Sequence, residues 1–533
     1  MSSAPPPDPR TNWWETRPYA VALILASMIP LLWPAIPPII DLPEHMGRYH
    51  IQMEIGRSPF LRQWYSFSWA LMGNLGVDLA IEPMARLFGL ELGVKLIVMA
   101  IPAMTVAGLL LIAREVHGRL PPTAAFALPL AYGFPFQFGF VNYALSMALA
   151  LLAFGVWLRL GRQGWIRLRA AIFLPLGVLI WVCHTYGWGV LGLLAFAAEV
   201  IEAQKKHRNW LLALVYGGIA CLPLAPPLLL MVMWRSGGVA GRTTDFLNWT
   251  AKRAWMLTVL RERSPTWDIA AATILYTLIT VAAFRAGLTM KRTLGAAAII
   301  LLAAYLLIPR ILIGSAYADM RLVAYMVAIA VIGISAERFD RRWMAGFAVA
   351  ALAFYGARLT TTTLTFLNRD ALYRDQLSAI DHIDRGARVF ALVNLPCSGR
   401  WFLPRTEHIG AIATVRKDAF VNGQWVMPGA QLLRVTYDKP GRWGIDPSQV
   451  RRPGMCAGRK MRGKTLEEAV EAFPREDFDY LWLIDTPRWK WPVDDPELVQ
   501  VWHGRRTGAL YRINGSATTP SDTPKGSDRR ATQ

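Results

Sequence analysis

Cysteine is scarce: the 533 residues contain four, at 183, 221, 397 and 456, with no CxxC among them. That spacing excludes a cysteine-built metal site. The chain has no Walker A sequence, no HExxH and no GxSxG in a hydrolase context. P-loop nucleotide chemistry, zincin proteolysis and a nucleophile elbow are thereby set aside. No clear internal repeat is visible. Acidic residues are few, 37 against 57 Lys and Arg, for a net charge of +20. No RNA- or DNA-binding motif accompanies this surplus, which reads as loop arginines and lysines facing anionic lipid rather than a nucleic-acid partner. Charge of either sign is nearly missing from long stretches of 18–360. With 54% hydrophobic residues and a mean hydropathy of +0.30, the chain is too apolar for an ordinary soluble protein.

What those stretches contain is a series of apolar runs, each near the length of about 17–25 residues that crosses a bilayer. The first, 19–40, follows a short polar leader (1–17) with Arg10 and Arg17. It is long, Pro-broken and without a small-residue cleavage site, so it reads as a retained helix rather than a signal peptide. Further runs lie near 91–113, 121–138, 141–159, 170–187, 188–203, 210–233, 266–285, 293–313, 320–337 and 343–361. The expected fold is an all-α polytopic membrane protein of about eleven spans, covering 18–361, with a small C-terminal α/β domain.

Alternate connections carry the basic residues. One set holds Arg114, Arg119, Arg159, Arg162, Arg167, Arg169, Lys205, Lys206, Arg208, Arg285, Lys291, Arg292, Arg338, Arg341 and Arg342. The short opposite turns around Phe140 and Tyr186 carry none. The positive-inside rule then places the N-terminus in the cytoplasm of an inner-membrane protein. Three segments face outward: 41–90, 234–268 and the part after Thr360. The region 362–514 shows helix-like 377–384, strand-like 389–393, helix-like 466–473, strand-like 480–484 and a closing pair at 498–502 and 509–513. Alternating helix and strand patterns predict a small extracytoplasmic, hence periplasmic, α/β domain. From 515 to 533 Ser, Thr, Pro, Gly and charges dominate, a composition that predicts disorder. Cys183 and Cys221 fall in apolar helices, whereas Cys397 and Cys456 share the outer domain, where an oxidising compartment permits a disulfide.

Ionisable groups concentrate where the first apolar run ends, in Asp41-Leu42-Pro43-Glu44-His45-Met46-Gly47-Arg48, with His50 close behind. Such groups at the membrane surface are costly unless paired or used. Asp41 directly ends the apolar run and precedes Leu-Pro, which holds its carboxylate at the exit. Together with the many helices and the C-terminal domain, Asp41-Leu42-Pro43-Glu44-His45 resembles the D-x-P-x-H loop of uncharacterised bacterial members of the GT-C superfamily. These are membrane glycosyltransferases that use polyprenyl-phosphate sugars, such as protein mannosyltransferases and lipid A aminoarabinose transferases. Gly139-Phe140-Val141-Asn142-Tyr143 and Tyr317-Ala318-Asp319-Met320-Arg321 add to the likeness. The Asp-Asp or Asp-Glu pair of several branches is missing, which leaves a divalent metal and the acceptor open.

The resemblance implies an outward cavity for the sugar head, with the prenyl tail between helices and a bacterial inner-membrane location. Asp41 is then the general base, and Arg321 is the best phosphate ligand; a snorkelling interfacial arginine is the alternative. Glu44, His45, Arg48, Asp78, His184 and Tyr186 are the other substrate-binding candidates. For Asn74 and Asp78, turn formation and helix capping compete with sugar binding. Trp64, Tyr65, Trp69, Trp249 and Trp255 suit sugar stacking or interfacial anchoring. The segment with Asp245, Asn248, Trp249, Lys252 and Arg253 reads as a surface amphipathic helix. Arg400, His408 and Asp485 read as ordinary residues of the tail domain. A transporter or flippase of a lipid-linked precursor, and a non-enzymatic envelope scaffold, remain as other readings. The first calls for charges buried mid-helix and inverted repeats; the second makes Asp41 dispensable.

Overall fold

The computed structural model describes residues 11–233, 242–312, 315–395, 401, 403–424, 426, 431–444, 449–451, 464–492 and 495–514. Cys397, Cys456, Arg400 and the segment after 514 lie outside the described residues, and with them the expected disulfide and disorder.

The first apolar run is not one helix. It forms α1 (Arg17–Ala26) and α2 (Ile29–Leu32), then continues irregularly to Asp41. Pro34, Pro37 and Pro38 explain the change, because each removes a backbone donor and disfavours helix in the preceding residue. The first long connection folds as α3 (Leu42–Glu54), α4 (Leu61–Trp64), the short strand β1 (Tyr65–Phe67) and α5 (Gly76–Phe88). After α6 (Leu90–His117), the run expected near 121–138 is also broken. A buried 3-10 helix, Ala124–Tyr132, leads into α7 (Phe134–Phe138), with Pro129, Gly133 and Pro135 interrupting the ladder. Then come α8 (Val141–Arg162), α9 (Ile166–Cys183), α10 (Thr185–His207), α11 (Trp210–Ala220) and α12 (Pro226–Met233). The α9/α10 break falls at His184, earlier than hydropathy placed it. The helical body closes with α13 (Trp249–Leu257), α14 (Pro265–Ala283), the two-residue β2 (Thr289–Met290), α15 (Arg292–Leu307), α16 (Met320–Ile332), β3 (Ile334–Ser335) and α17 (Arg341–Leu377).

Among the described residues, six helices are long and apolar enough to cross a membrane, or seven if the pair Trp210–Ala220 and Leu222–Val232, bent by 44°, is one span. The chain is therefore a membrane-embedded, multi-pass protein, with fewer full-length spanning helices than the eleven runs suggested. The α1, α15 and α16 helices are apolar but shorter. Burial separates two roles that hydropathy merges. Leu211, Leu229 and Val232 project outward, as lipid-facing side chains do. Every residue of α16 is buried, so this helix is hydrophobic all round because it fills the centre of the body. At one end of the body Glu115 holds Arg159 at 2.8 Å and Arg162 at 2.6 Å, while Arg169 meets Glu199 at 2.7 Å and Lys291 meets Glu337 at 2.9 Å.

The other end carries the sheet. No break follows Thr360, because α17 continues unbroken as a strut to Leu377. Beyond it lie β4 (Arg388–Leu395), α18 (Ile412–Lys417), β5 (Phe420–Val421), β6 (Leu433–Val435), β7 (Gln449–Arg451), α19 (Leu466–Ala472), β8 (Tyr480–Pro487), β9 (Leu498–His503) and β10 (Thr507–Ile513). The sheet runs β5-β4-β8-β10-β9, with β7 also on β4. Strand β4 is parallel to β5, β7 and β8, and β10 is antiparallel to β8 and β9.

Alternation along the central strands divides the side chains between two cores. Phe390, Leu392, Leu481 and Leu483 face a cluster with Leu466 and Phe473. Val389, Ala391, Tyr480, Trp482 and Ile484 face Ile409 and Ile412, in a core continuous with the helical body. Ile51, Leu61, Trp64 and Tyr65 belong to the first cluster, and β1 pairs antiparallel with β6. The 41–90 connection and the C-terminal sheet are thus one packed unit. Separate treatment of the two segments conceals this.

Candidate functional site

Asp41 stands at the N-cap of α3. Pro43 is tolerated there because first-turn amides need no intrahelical acceptor. The Asp41 side chain does not cap the helix, so its carboxylate is left for other contacts. Its backbone is clamped: the Ile40 amide donates to the Gln137 carbonyl at 3.2 Å, and the Asp41 amide to that of Phe138 at 3.0 Å. The close approach requires Gly139, whose φ of +100° is left-handed and whose added Cβ would lie 2.6 Å from the Asp41 nitrogen.

One turn along α3, Glu44 occupies the same face. Between the two carboxylates sits His408, from the C-terminal region. Its Nδ1 lies 2.6 Å from Glu44 Oε2 and its Nε2 lies 3.7 Å from Asp41 Oδ1. All three are buried, at 6%, 1% and 9% exposure for Asp41, Glu44 and His408. The loop carrying His408 is pinned from both sides. Leu403 packs with Ile40, Phe134 and Met320. The buried Arg405 guanidinium donates to the Pro38 carbonyl and, at 2.8 Å, to Gln137 Oε1. Burial pushes the Asp41 carboxyl up to about 8, with His408 and Arg321 pulling it down and Glu407 and Glu44 pushing it up. Burial alone would lower the His408 imidazole, but Glu44 above all, then Glu407 and Asp41, hold its proton and raise it to about 10.

Arg321, in the first turn of α16, lies near enough to act on the charge of Asp41. Its guanidinium carbon sits 4.4 Å from the centre of the Phe140 ring, 5.6 Å from Tyr186 and 5.7 Å from Tyr143. Nη2 donates to Ser315 Oγ at 3.3 Å, while Nε is buried without a hydrogen-bond partner. Among the described residues no carboxylate comes within ion-pair reach of Arg321. Arg405 shares this lack of an ion pair but spends its donors on the Pro38 carbonyl and Gln137 Oε1, whereas three other cations have carboxylates. Lys252 pairs with Asp319 and donates to the Tyr305 and Ile308 carbonyls, Arg310 pairs with Asp245, and Arg358 with Asp268 and Glu262. The α13 helix is accordingly no simple surface amphipath, because Lys252 is driven inward. Tyr186 hydroxyl donates to the Ala318 carbonyl at 2.6 Å and Tyr143 hydroxyl to that of Arg321, fixing the aromatic cage to the turn that bears the arginine.

The remaining sequence candidates divide. Arg48 and Asp78 form a fully buried ion pair, and Asp78 also accepts from Asn142 Nδ2 at 2.9 Å. Asn142 in turn accepts from the Val77 amide at 2.7 Å. These residues brace α3 against α5 and α8, and the Arg48 Nη groups are spent on Asp78 and the His45 ring rather than presented to a sugar, although Arg48 Nε has no hydrogen-bond partner. Replacing Arg48 by Met leaves Asp78 buried without its counter-ion, for an expected loss of about 3–5 kcal/mol of stability. A thermal-unfolding comparison of Arg48→Met with the parent checks this. His45 stacks on Tyr49 at 6.1 Å with its Nδ1 3.3 Å from Arg48 Nη2. His184 caps α10, accepting from the Tyr186 amide at 3.1 Å. His50 lies outside the Asp41 group, 2.7 Å from Asp418.

Asp485 is a fold residue, accepting from Thr507 Oγ1 at 3.1 Å. His408, which reads from the sequence as an ordinary residue of the tail domain, stands instead between Asp41 and Glu44, and sequence reasoning does not single out Arg405 at all. Arg405-Thr406-Glu407-His408 is a polar cluster outside any helix or strand period, and that is the one signal it offered. Among the described residues no group of three or more His, Cys, Asp or Glu side chains is arranged to hold a metal ion. The site therefore combines a buried carboxylate poised near neutrality with a buried guanidinium lacking a counter-ion. No protein-family model matches the chain, and no curated protein matches it.

Proposed function

We propose that the chain is an inverting glycosyltransferase of the GT-C type, moving a sugar from a polyprenyl-phosphate donor to an acceptor hydroxyl of the cell envelope. The carrying observation is Arg321: a buried cation with no carboxylate ion pair among the described residues, set close enough to Asp41 for the two charges to act on each other. Burying an uncompensated charge is costly, and an anionic ligand relieves that cost. A single phosphate fits a planar, bidentate guanidinium.

In the proposed reaction the acceptor oxygen attacks the anomeric carbon while Asp41 accepts its proton. The bond from the anomeric carbon to the phosphate oxygen breaks, and its electron pair leaves with the polyprenyl phosphate. Arg321 faces the negative charge that grows on that oxygen. A single displacement inverts the anomeric centre. The end of the body opposite the site bears Arg159, Arg162, Arg169 and Lys291. The positive-inside rule supports reading that end as cytoplasmic, and with it the site and the sheet as facing the periplasm of a bacterial inner membrane.

Because the ionised Asp41 is the active form and its carboxyl is raised to about 8, turnover rises with pH through a limb near 8. An ordinary carboxylate base would give a limb near 4. A pH–rate profile of polyprenyl-phosphate release in nanodiscs measures this. A limb at 4–5 contradicts Asp41 as the base, and retention of anomeric configuration in the product contradicts the single displacement.

A further inference from the structure

The C-terminal region does more than cover the site, because one of its side chains stands inside it. We propose that His408 is the positioning residue of the reaction, an imidazolium wedged between Glu44 and Asp41 that orients the Asp41 carboxyl and favours its charged form. The inference rests on Asp41 being the base.

Both ring nitrogens of His408 face a carboxylate oxygen, Nδ1 at 2.6 Å and Nε2 at 3.7 Å. The protonated ring matches the Glu44 carboxylate as an ion pair at 2.6 Å, while at 3.7 Å it acts on Asp41 through its charge rather than through a hydrogen bond. Asp41 and Glu44 are three residues apart at the start of α3, and the His408 ring contacts both. The Arg405 contacts to the Pro38 carbonyl and Gln137 fix the loop that delivers that ring.

The charged groups around the pair come from three elements: Glu44, His45 and Arg48 from α3, Glu407 and His408 from the loop, and Arg321 from α16. Arg48 is matched by Asp78. Three carboxylates, Asp41, Glu44 and Glu407, thus face two cations. Without His408, Asp41 and Glu44 confront each other in a buried setting, where like charges force a proton onto one of them. The consequence is that the sheet region is a required part of the site, even though the carboxylate it serves lies more than 360 positions earlier.

Two readouts on the full-length protein in nanodiscs test this. The first needs no donor: deuterium exchange at imidazole C2, followed by mass spectrometry across pH, reports the protonation of His408. The expected result is a midpoint well above 7. A midpoint at or below that of an ordinary histidine, about 6.5, overturns the proposal.

The second readout is the pH–rate profile of the parent, His408→Asn and His408→Lys. Loss of the cation in His408→Asn moves the rising limb upward by about one pH unit or more. That is a deficit of about tenfold or greater at neutral pH which shrinks as the pH rises. His408→Lys restores a cation and brings the limb back toward the parent. A deficit equal at every pH, with the limb unmoved, shows a merely structural role and also overturns the proposal. If the parent turns over no donor, the glycosyl-transfer reading fails, while the exchange midpoint still decides whether His408 holds its proton.

Discussion

Asp41→Asn lowers turnover of a polyprenyl-phosphate sugar by about 10²–10⁴-fold, the usual contribution of a positioned general base. The substitution keeps the shape of the side chain and both clamping bonds, since the amides of Ile40 and Asp41 donate from the backbone. It also leaves His408 its closer partner, Glu44, at 2.6 Å. Folding and donor binding are therefore expected to survive, and the loss falls on kcat rather than on KM. Single-turnover kinetics with saturating donor check this, with thermal unfolding as the control. A scaffold reading makes the opposite prediction, because nothing in it needs the proton-accepting oxygen.

Arg321→Gln lowers turnover by about 10²–10³-fold, equivalent to about 2.7–4 kcal/mol of transition-state stabilisation, the scale on which one donor to a developing oxyanion acts. The effect on stability has the other sign. Arg321 is buried without a counter-ion among the described residues, and its Nε has no acceptor. Such a group costs folding free energy, so its removal leaves Tm unchanged or raised. Arg321→Lys keeps the charge but loses the planar fork, and falls between the parent and Gln in turnover. The test is to measure kcat and Tm for the same three proteins. Loss of stability in parallel with loss of activity would make Arg321 a structural interfacial residue.

Sequence legibility followed the physics of each element. Asp41 stood out because it ends an apolar run before Leu-Pro, a local fact that the fold preserves in the N-cap of α3. The strands at β4 and β8 were visible because their side chains alternate between two cores. Hydropathy marked eleven apolar runs where the described residues hold six or seven helices of membrane-spanning length, because it scores composition and not hydrogen-bond donors. The prolines of 34–38, and Pro129, Gly133 and Pro135, interrupt runs that are apolar enough to span.

Hydropathy also could not separate α16, buried on every side, from a lipid-facing helix. The Arg48–Asp78 pair and the Lys252–Asp319 pair were hidden because each joins residues whose spacing carries no period. The Asp41–His408 contact was hidden most deeply. It depends on the sheet packing against α3 through Ile409 and Ile412, a tertiary event that no window of sequence reports.

The most direct test of the central claim is release of polyprenyl phosphate from a panel of polyprenyl-phosphate sugars by the purified protein in nanodiscs, with envelope extract supplying acceptors. The account predicts release by the parent protein and its loss in folded Asp41→Asn. Equal release by both proteins would contradict it.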